Sequence, residues 1–386
     1  IADRDTQVCI NVIDIGRTDE RQQLGVGVDL VDVFDAGVTC GRIHCWRIVV
    51  RSERYRRSAD RRAAGRRVLV IGAGMAGLTV AGTLRKAGYQ VTVFDKSKGT
   101  GGRLASRSYP NGWIDHGAPY FSAESSFSDF LRQQLPAGSL QAWRPQVAGQ
   151  LRSDEQLHSI GVPRNSAITR GLLGDLRFQP STRIARLEAG ADGWQLYNDG
   201  GSRLGDWALV VVAVPAPQAL MLVANQPLFA EQLERVRMEP AWVAAIRTGQ
   251  SVDQWPGVAV FEHPVLRRIV NNSAKPGRGS DHIYLVQAQK SWSERFLEEP
   301  PEAVGRHLLA NFAELAGRQQ GHELLFTHRW RYAFADVPLG SPFLWDRKLQ
   351  LGVCGDWCLG RRVEDAWRSG ADLAEHILEH NSEERQ

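Results

Sequence analysis

The sequence predicts an α/β fold in which helices cover a parallel sheet and a second, mixed-sheet domain interrupts that sheet. Three observations predict the parallel sheet and its helices. Val68–Ile71 is a short, apolar, β-branched run that ends in glycines at positions 72, 74 and 77 and then a helix-forming stretch. Gln90–Phe94 is a second such run, and it closes on Asp95. Far downstream, Leu349–Val353 reads as another strand and leads through Gly355 and Asp356 into an amphipathic helix, with apolar residues at steps of three and four from Val363 to Leu378.

Taken in chain order, residues 1–66 precede the first of these strands. They are expected to be an extension outside the catalytic unit, with a strand-like stretch at Val26–Phe34. Residues 51–67 hold eight arginines against Glu53 and Asp60, a local charge of +6 that leaves the rest of the chain at −2 when the total is +4. The basic balance therefore belongs to one stretch, read as a solvated linker, and nucleic-acid binding is not expected.

The first strand and helix form a dinucleotide-binding turn. Gly72 makes the tight exit from the strand, Gly74 lets a pyrophosphate approach bare backbone, and Gly77 lets the helix pack close to the sheet. Met75 and Ala76 open a helix expected to run to Ala87 with Gly88 as its C-cap, and its first amides face phosphate. Asp95, 23 residues after Gly72 and followed by Lys96, is placed to hydrogen-bond ribose hydroxyls. A second turn, Gly99-Thr100-Gly101-Gly102-Arg103, brings more bare backbone to a ligand. Arg103 there can neutralise a diphosphate through paired bonds.

That second turn resembles the Gly-Gly-Arg element of FAD-dependent amine oxidases. The segment Asp115-His116-Gly117-Ala118-Pro119-Tyr120-Phe121 is similar to one found in the renalase-like branch of that superfamily, which includes bacterial and plant FAD/NAD(P)-binding oxidoreductases. The resemblance spans about residues 67–380. It implies a discontinuous, Rossmann-like FAD-binding domain over 67–123, 165–217 and 346–381, and an α+β substrate domain over 124–164 and 218–345. It implies that Gly355 and Asp356 hold the ribityl chain and that the helix start at Arg362 and Val363 points at the flavin's pyrimidine edge. It also implies that Ile184 meets adenine through its backbone. Two residues depart from the pattern: Asp365 and Arg361 stand where relatives carry small residues. Thr182–Leu187, Trp194–Tyr197 and Leu209–Val214 are expected strands, with Pro215 at the domain exit.

In the substrate domain, Asn271–Arg278 and His328–Ala333 resemble renalase-like segments. Lys275 is one of six lysines against 41 arginines, and amine-oxidase relatives use a lysine to hold a water near flavin N5. Lys275 is the candidate for that catalytic role, with binding of an anionic substrate group or a plain surface loop as the alternatives, and Asn272 and Tyr332 are candidate substrate contacts. Trp292 and Trp330 read equally as pocket wall or core. His116 reads as a structural hydrogen-bonding residue rather than a base, because no carboxylate partner is assured.

The function implied is oxidation of a small reduced donor by noncovalently bound FAD, with hydride passing to flavin N5 and O2 reoxidising the flavin to give H2O2. A dihydronicotinamide isomer is the preferred donor and a small amine the alternative. A reading of another class is a flavin-binding interaction protein that acts through its arginine-rich arm without turnover. A plain NAD dehydrogenase would leave Gly101, Gly102 and Arg103 without a role. No catalytic triad or metal-ligand pattern is visible, and the five cysteines match no zinc site. Cys354 and Cys358 read as buried small side chains. No apolar run is long enough to span a membrane and no signal peptide is visible, so the expected location is the cytoplasm.

Overall fold

The structure is a computed structural model that describes residues 39–40, 43–44, 67–149, 157–190, 193–317 and 321–383. The chain divides into two units, Ile1–Ser58 and Ala59–Gln386. In the first, Thr39–Cys40 and Ile43–His44 pair antiparallel. The Val26–Phe34 stretch and the arginine-rich run 51–66 lie outside the described residues.

In the second unit the apolar runs become strands buried on both faces, as a parallel sheet under helices requires. Six strands lie side by side in the order Arg177–Gln179, Gln90–Phe94, Arg67–Ile71, Leu209–Val212, Leu351–Val353, Leu344–Asp346. All pairs are parallel except the last. Alternation along the strands decides which core each residue joins. Val68, Val70, Leu209 and Val211 pack with Leu78, Leu373 and Ile377 of the helices Met75–Lys86 and Val363–Glu383. Leu69, Ile71, Val210 and Val212 pack with Trp194, Trp207 and Ala219 on the opposite face. The two helices approach closely at Gly370, where a Cβ would lie 2.5 Å from the Ala76 carbonyl oxygen.

Three expected strands are trimmed. The first starts at Ile184 rather than Thr182, because Ser181 takes φ 53° and Thr182 donates its amide to the Asp95 carbonyl in a turn. Leu209–Val214 ends at Val212, and Leu349–Val353 begins at Leu351 because Gln350 takes φ 50°. A strand not anticipated, Arg203–Trp207, completes an antiparallel three-stranded sheet with Ile184–Gly190 and Gly193–Asn198.

The second large sheet is mixed, as expected. Its order is Glu323–Val337, Arg237–Thr248, His282–Ala288, Leu266–Asn271, Val258–Val260, Val147–Gly149, with only the last pair parallel. One face packs Trp242, Ala244 and Ile246 against Leu308 and Phe312 of the helix Pro301–Leu315. The other packs Val243, Ala245 and Leu285 against Ile114 and Ile160.

Candidate active site

The two glycine turns are built against each other. Gly72 leaves its strand at φ +110° and donates its amide to the Phe94 carbonyl at 2.8 Å. A Cβ on Gly77 would sit 2.0 Å from the Gly72 carbonyl oxygen, so that position admits only glycine. Gly74 differs: a Cβ there would meet nothing within 4 Å, so the space beside it is open. Gly74 is also the N-cap of the Met75–Lys86 helix, and no side chain caps that end. The amides at Met75 and Ala76 therefore face the opening with the positive end of the helix dipole. The second turn docks here, with the Gly101 amide bound to the Ala73 carbonyl at 3.0 Å and Gly102 against Gly74. Open space, unmade helix amides and bare backbone together fit a pyrophosphate.

Asp95 stands at the end of its strand, as expected. Its Oδ2 accepts from the Ala73 amide at 2.8 Å and its Oδ1 from Ser97 at 2.7 Å, which fixes the carboxylate at the cavity edge with lone pairs to spare. Lys96 beside it is exposed, and its pKa is lowered by partial burial and by Arg183. Ile184 is buried and lines the same cavity.

Two distant parts of the chain meet at Arg103 and Asp356, 253 residues apart in sequence. The Arg103 guanidinium forms a fork with the carboxylate, at 2.7 Å and 2.5 Å, and also reaches the Ala333 carbonyl at 3.3 Å. Arg103 was expected to bind diphosphate and Asp356 the ribityl chain; here each fixes the other. Gly355 is required beside Trp357, whose indole nitrogen would lie 2.3 Å from a Cβ. The following helix start is altered by Asp365. Its Oδ2 accepts from the amides of Arg361 and Arg362, at 2.9 Å and 2.8 Å. Two amides at the helix start expected to favour a negatively charged ligand are thus taken by the protein's own carboxylate. Arg362 and Val363 still line the cavity.

These parts open into one cavity of about 1200 Å³. That exceeds the ~300–1,000 Å³ of an ordinary small-molecule site and leaves room for more than a nucleotide. Its far wall comes from the second sheet and the segment 116–121. Trp330 stacks on His116 at 5.6 Å and 20° and donates its indole N–H to the His116 carbonyl at 2.9 Å. His328 meets both rings edge-on. Tyr332, a predicted substrate contact, also lines the cavity.

The His116 ring makes no hydrogen bond through Nδ1; the backbone, not the ring, makes the structural bond. Burial, then His328, pushes the His116 pKa down to about 4, and burial followed by Arg107 lowers that of His328. Burial thus favours the neutral form of both imidazoles, which can accept a hydrogen bond. Trp292 belongs to the core, packed on Phe296 at 4.5 Å.

Lys275 and Asn272 are not on this wall. Lys275 is fully buried and bonds Asp115 Oδ2 at 2.6 Å and the Pro119 carbonyl at 3.0 Å. Arg278, which the sequence reading passed over, reaches the same oxygen through Nε and Nη2 at 2.9 Å and 2.6 Å. The other carboxylate oxygen accepts from Ser106 Oγ and the Asn165 amide. Asn272 clamps the backbone of this segment, donating to the Trp113 carbonyl at 2.8 Å and accepting from the Asp115 amide at 3.2 Å. The catalytic expectation for Lys275 is therefore corrected. A buried ammonium needs a counter-ion, and the counter-ion is Asp115 rather than a group on the cavity. Burial brings the Lys275 pKa down to about 8 against the pull of Asp115. Burial alone would raise the Asp115 pKa, but Lys275 and Arg278 outweigh it and lower it.

Among the described residues no group of His, Cys, Asp and Glu could hold a metal ion, and no helix is long and apolar enough to cross a membrane. Cys354 and Cys358 are buried free thiols, the first pushed well up by burial and the second up to about 12.

Residues 70–133 match the family model of the NAD(P)-binding Rossmann-like domain. Among solved structures, a protein assigned as a protoporphyrinogen oxidase from Exiguobacterium sp. 255-15 superposes with a TM-score of 0.66 at 12% identity, over 82% of this chain and 99% of that one. A fatty acid isomerase from P. acnes that produces CLA superposes at 0.64 with 10% identity, over 81% and 99%. A redesigned putrescine oxidase superposes at 0.62 with 13% identity, over 81% and 99%. At these identities the likeness is one of fold. It shows a Rossmann-like dinucleotide-binding architecture joined to a mixed-sheet domain along nearly the whole of each neighbour.

Proposed function

We propose that this protein is an FAD-dependent oxidoreductase that oxidises a small reduced donor, a dihydronicotinamide isomer, with O2 as acceptor. One observation carries the reading. A single cavity runs from the paired glycine turns, past the Arg103–Asp356 fork, to an aromatic and histidine wall on the second sheet. A nucleotide alone would not need that wall, and a substrate alone would not need the glycine cradle. Bound noncovalently, FAD would accept hydride at N5 and pass the electrons to O2, giving H2O2.

The chain's own residues bind and orient. The amides at Gly74–Ala76 would take the pyrophosphate, Asp95 and Lys96 the adenosine ribose, and the Ile184 backbone the adenine. Asp356, held in one rotamer by Arg103, would accept hydrogen bonds from the ribityl hydroxyls. Trp330 and Tyr332 would wall a flat donor and exclude water. His116 and His328, neutral in this setting, bring no cation against a ring that loses hydride.

The putrescine oxidase among the neighbours suggests an amine donor as the second reading. Against it, among the described residues no carboxylate of the second sheet lines the cavity to hold an ammonium group. The test is direct. Purified protein is expected to be yellow and to bleach under anaerobic titration with dihydronicotinamides and not with polyamines. Flavin bleached by amines alone would favour the second reading, and a colourless protein that cannot be loaded would overturn both.

A further inference from the structure

We propose that Arg267 and Arg268 form an anion anchor in the cavity, so that the electron donor is a flat ring bearing a carboxylate or phosphate group. This deepens the reading of the cavity given above and rests on it. Successive residues on a strand normally face opposite sides of a sheet. The pairing of Leu266–Asn271 with His282–Ala288 slips between Leu266 and Arg268, and both arginines line the cavity. Such bulges re-aim side chains beside active sites.

Other cations on this side of the cavity are committed to acids. Arg329 and Arg331 bind Glu298, and Arg361 binds buried Glu239, which also holds Lys290. Arg268 has no such partner among the described residues, and its Nε is buried and makes no hydrogen bond. Its guanidinium lies 5.6 Å from the Tyr120 ring centroid, and its charge adds to burial in lowering the pKa of His158. Arg267 lies 5.8 Å from the Phe334 ring centroid. Burial lowers its pKa, as do Arg268 and Arg361, against the opposing pull of Glu239.

The carboxylates that line the cavity are Asp95, Asp199 and Asp356, none of them on the second sheet. Asp95 is engaged by backbone amides and Asp356 by Arg103. Among the described residues, the substrate side thus presents two neighbouring guanidinium groups and no carboxylate on the cavity surface itself. Planar N–H forks of this kind match the oxygens of a carboxylate or phosphate, and Tyr120 and Phe334 offer faces for the ring that carries it.

The test uses the FAD-loaded protein, with flavin content measured on each sample. Calorimetric titration with benzoate, phenyl phosphate and neutral benzamide is expected to show at least about tenfold tighter binding of one anion than of benzamide. The better of the two anions identifies the group recognised. Arg268→Met is expected to remove that preference with flavin content and melting temperature unchanged, Arg268→Lys to retain part of it, and Arg267→Met to weaken it. Equal binding of benzoate, phenyl phosphate and benzamide, binding of none of them, or an unchanged preference in both Met variants would overturn the anchor. A protein without flavin would overturn the oxidoreductase reading instead, and the same titration would still report on the anchor.

Discussion

A single carboxylate accounts for the largest departure from the sequence reading. Lys275 drew notice because lysine is rare in this chain, and that signal was real, but it marked a buried ion cluster rather than chemistry on a cofactor. Periodicity and composition carry no record of which acid a buried cation meets 160 residues away. The one local clue is Asp115, an acid in an otherwise apolar and aromatic segment. Asp115→Asn would leave two buried cations facing a neutral amide and is expected to cost about 3–5 kcal/mol of unfolding free energy. Lys275→Met leaves the Asp115–Arg278 pair intact and is expected to cost less, as urea midpoints of the two variants would show. The pH dependence follows with its sign. With a folded pKa of about 8 against roughly 10.4 unfolded, the unfolded chain binds more protons between those values. The penalty for burying charged Lys275 is fully present below that window and is relieved as pH rises through it. Wild-type stability relative to Lys275→Met should therefore rise from pH 8 to 10. A flat difference over that range would contradict the buried-charge account.

At the level of elements, the glycine turns were readable because each glycine has a separate steric reason to be there. Those reasons now predict different failures. Gly77→Ala would drive a Cβ to 2.0 Å from a backbone carbonyl and is expected to destabilise the fold before any ligand is considered. Gly74→Val would enter open space, so thermal unfolding of the ligand-free protein should change little while FAD affinity falls at least about tenfold. Equal losses of stability in the two variants would contradict the assignment of roles. The C-terminal helix was readable from its apolar stripe, and its altered start was visible only as a misplaced Asp365. That side chain reaches back from the first turn to hold the two amides that precede the helix, so Asp365→Ala should cost about 1.5–3 kcal/mol in chemical denaturation. Strand ends were readable only to within a few residues, since they depend on turns at Ser181 and Gln350 whose left-handed backbone no glycine announced. Arg203–Trp207 escaped notice because an edge strand with Gly205 and Asp206 has no apolar alternation.

Across the whole molecule, the parallel sheet is readable strand by strand, whereas the second sheet is readable only as a mixed-sheet domain and not in its strands. Parallel strands buried on both faces stand out as continuous apolar runs. The long strands Arg237–Thr248 and Glu323–Val337 shift register several times, which scrambles the period-two pattern that would reveal them. The cavity wall is built from those strands, so the candidate site was clear at its glycine end and obscure at its substrate end. The fork between Arg103 and Asp356 ties two distant parts of the chain across the cavity. Both residues had been named, for separate tasks, and only the fold pairs them. The account stands on these distant parts forming one cradle for a flavin. The most direct measurement is the absorbance of the purified second unit and of full-length protein near 450 nm, roughly where oxidised flavin absorbs, after incubation with excess FAD and gel filtration. The expected result is about one flavin per chain in wild type and little in Gly74→Val. A wild-type protein that folds, emerges colourless and takes up no flavin would contradict it.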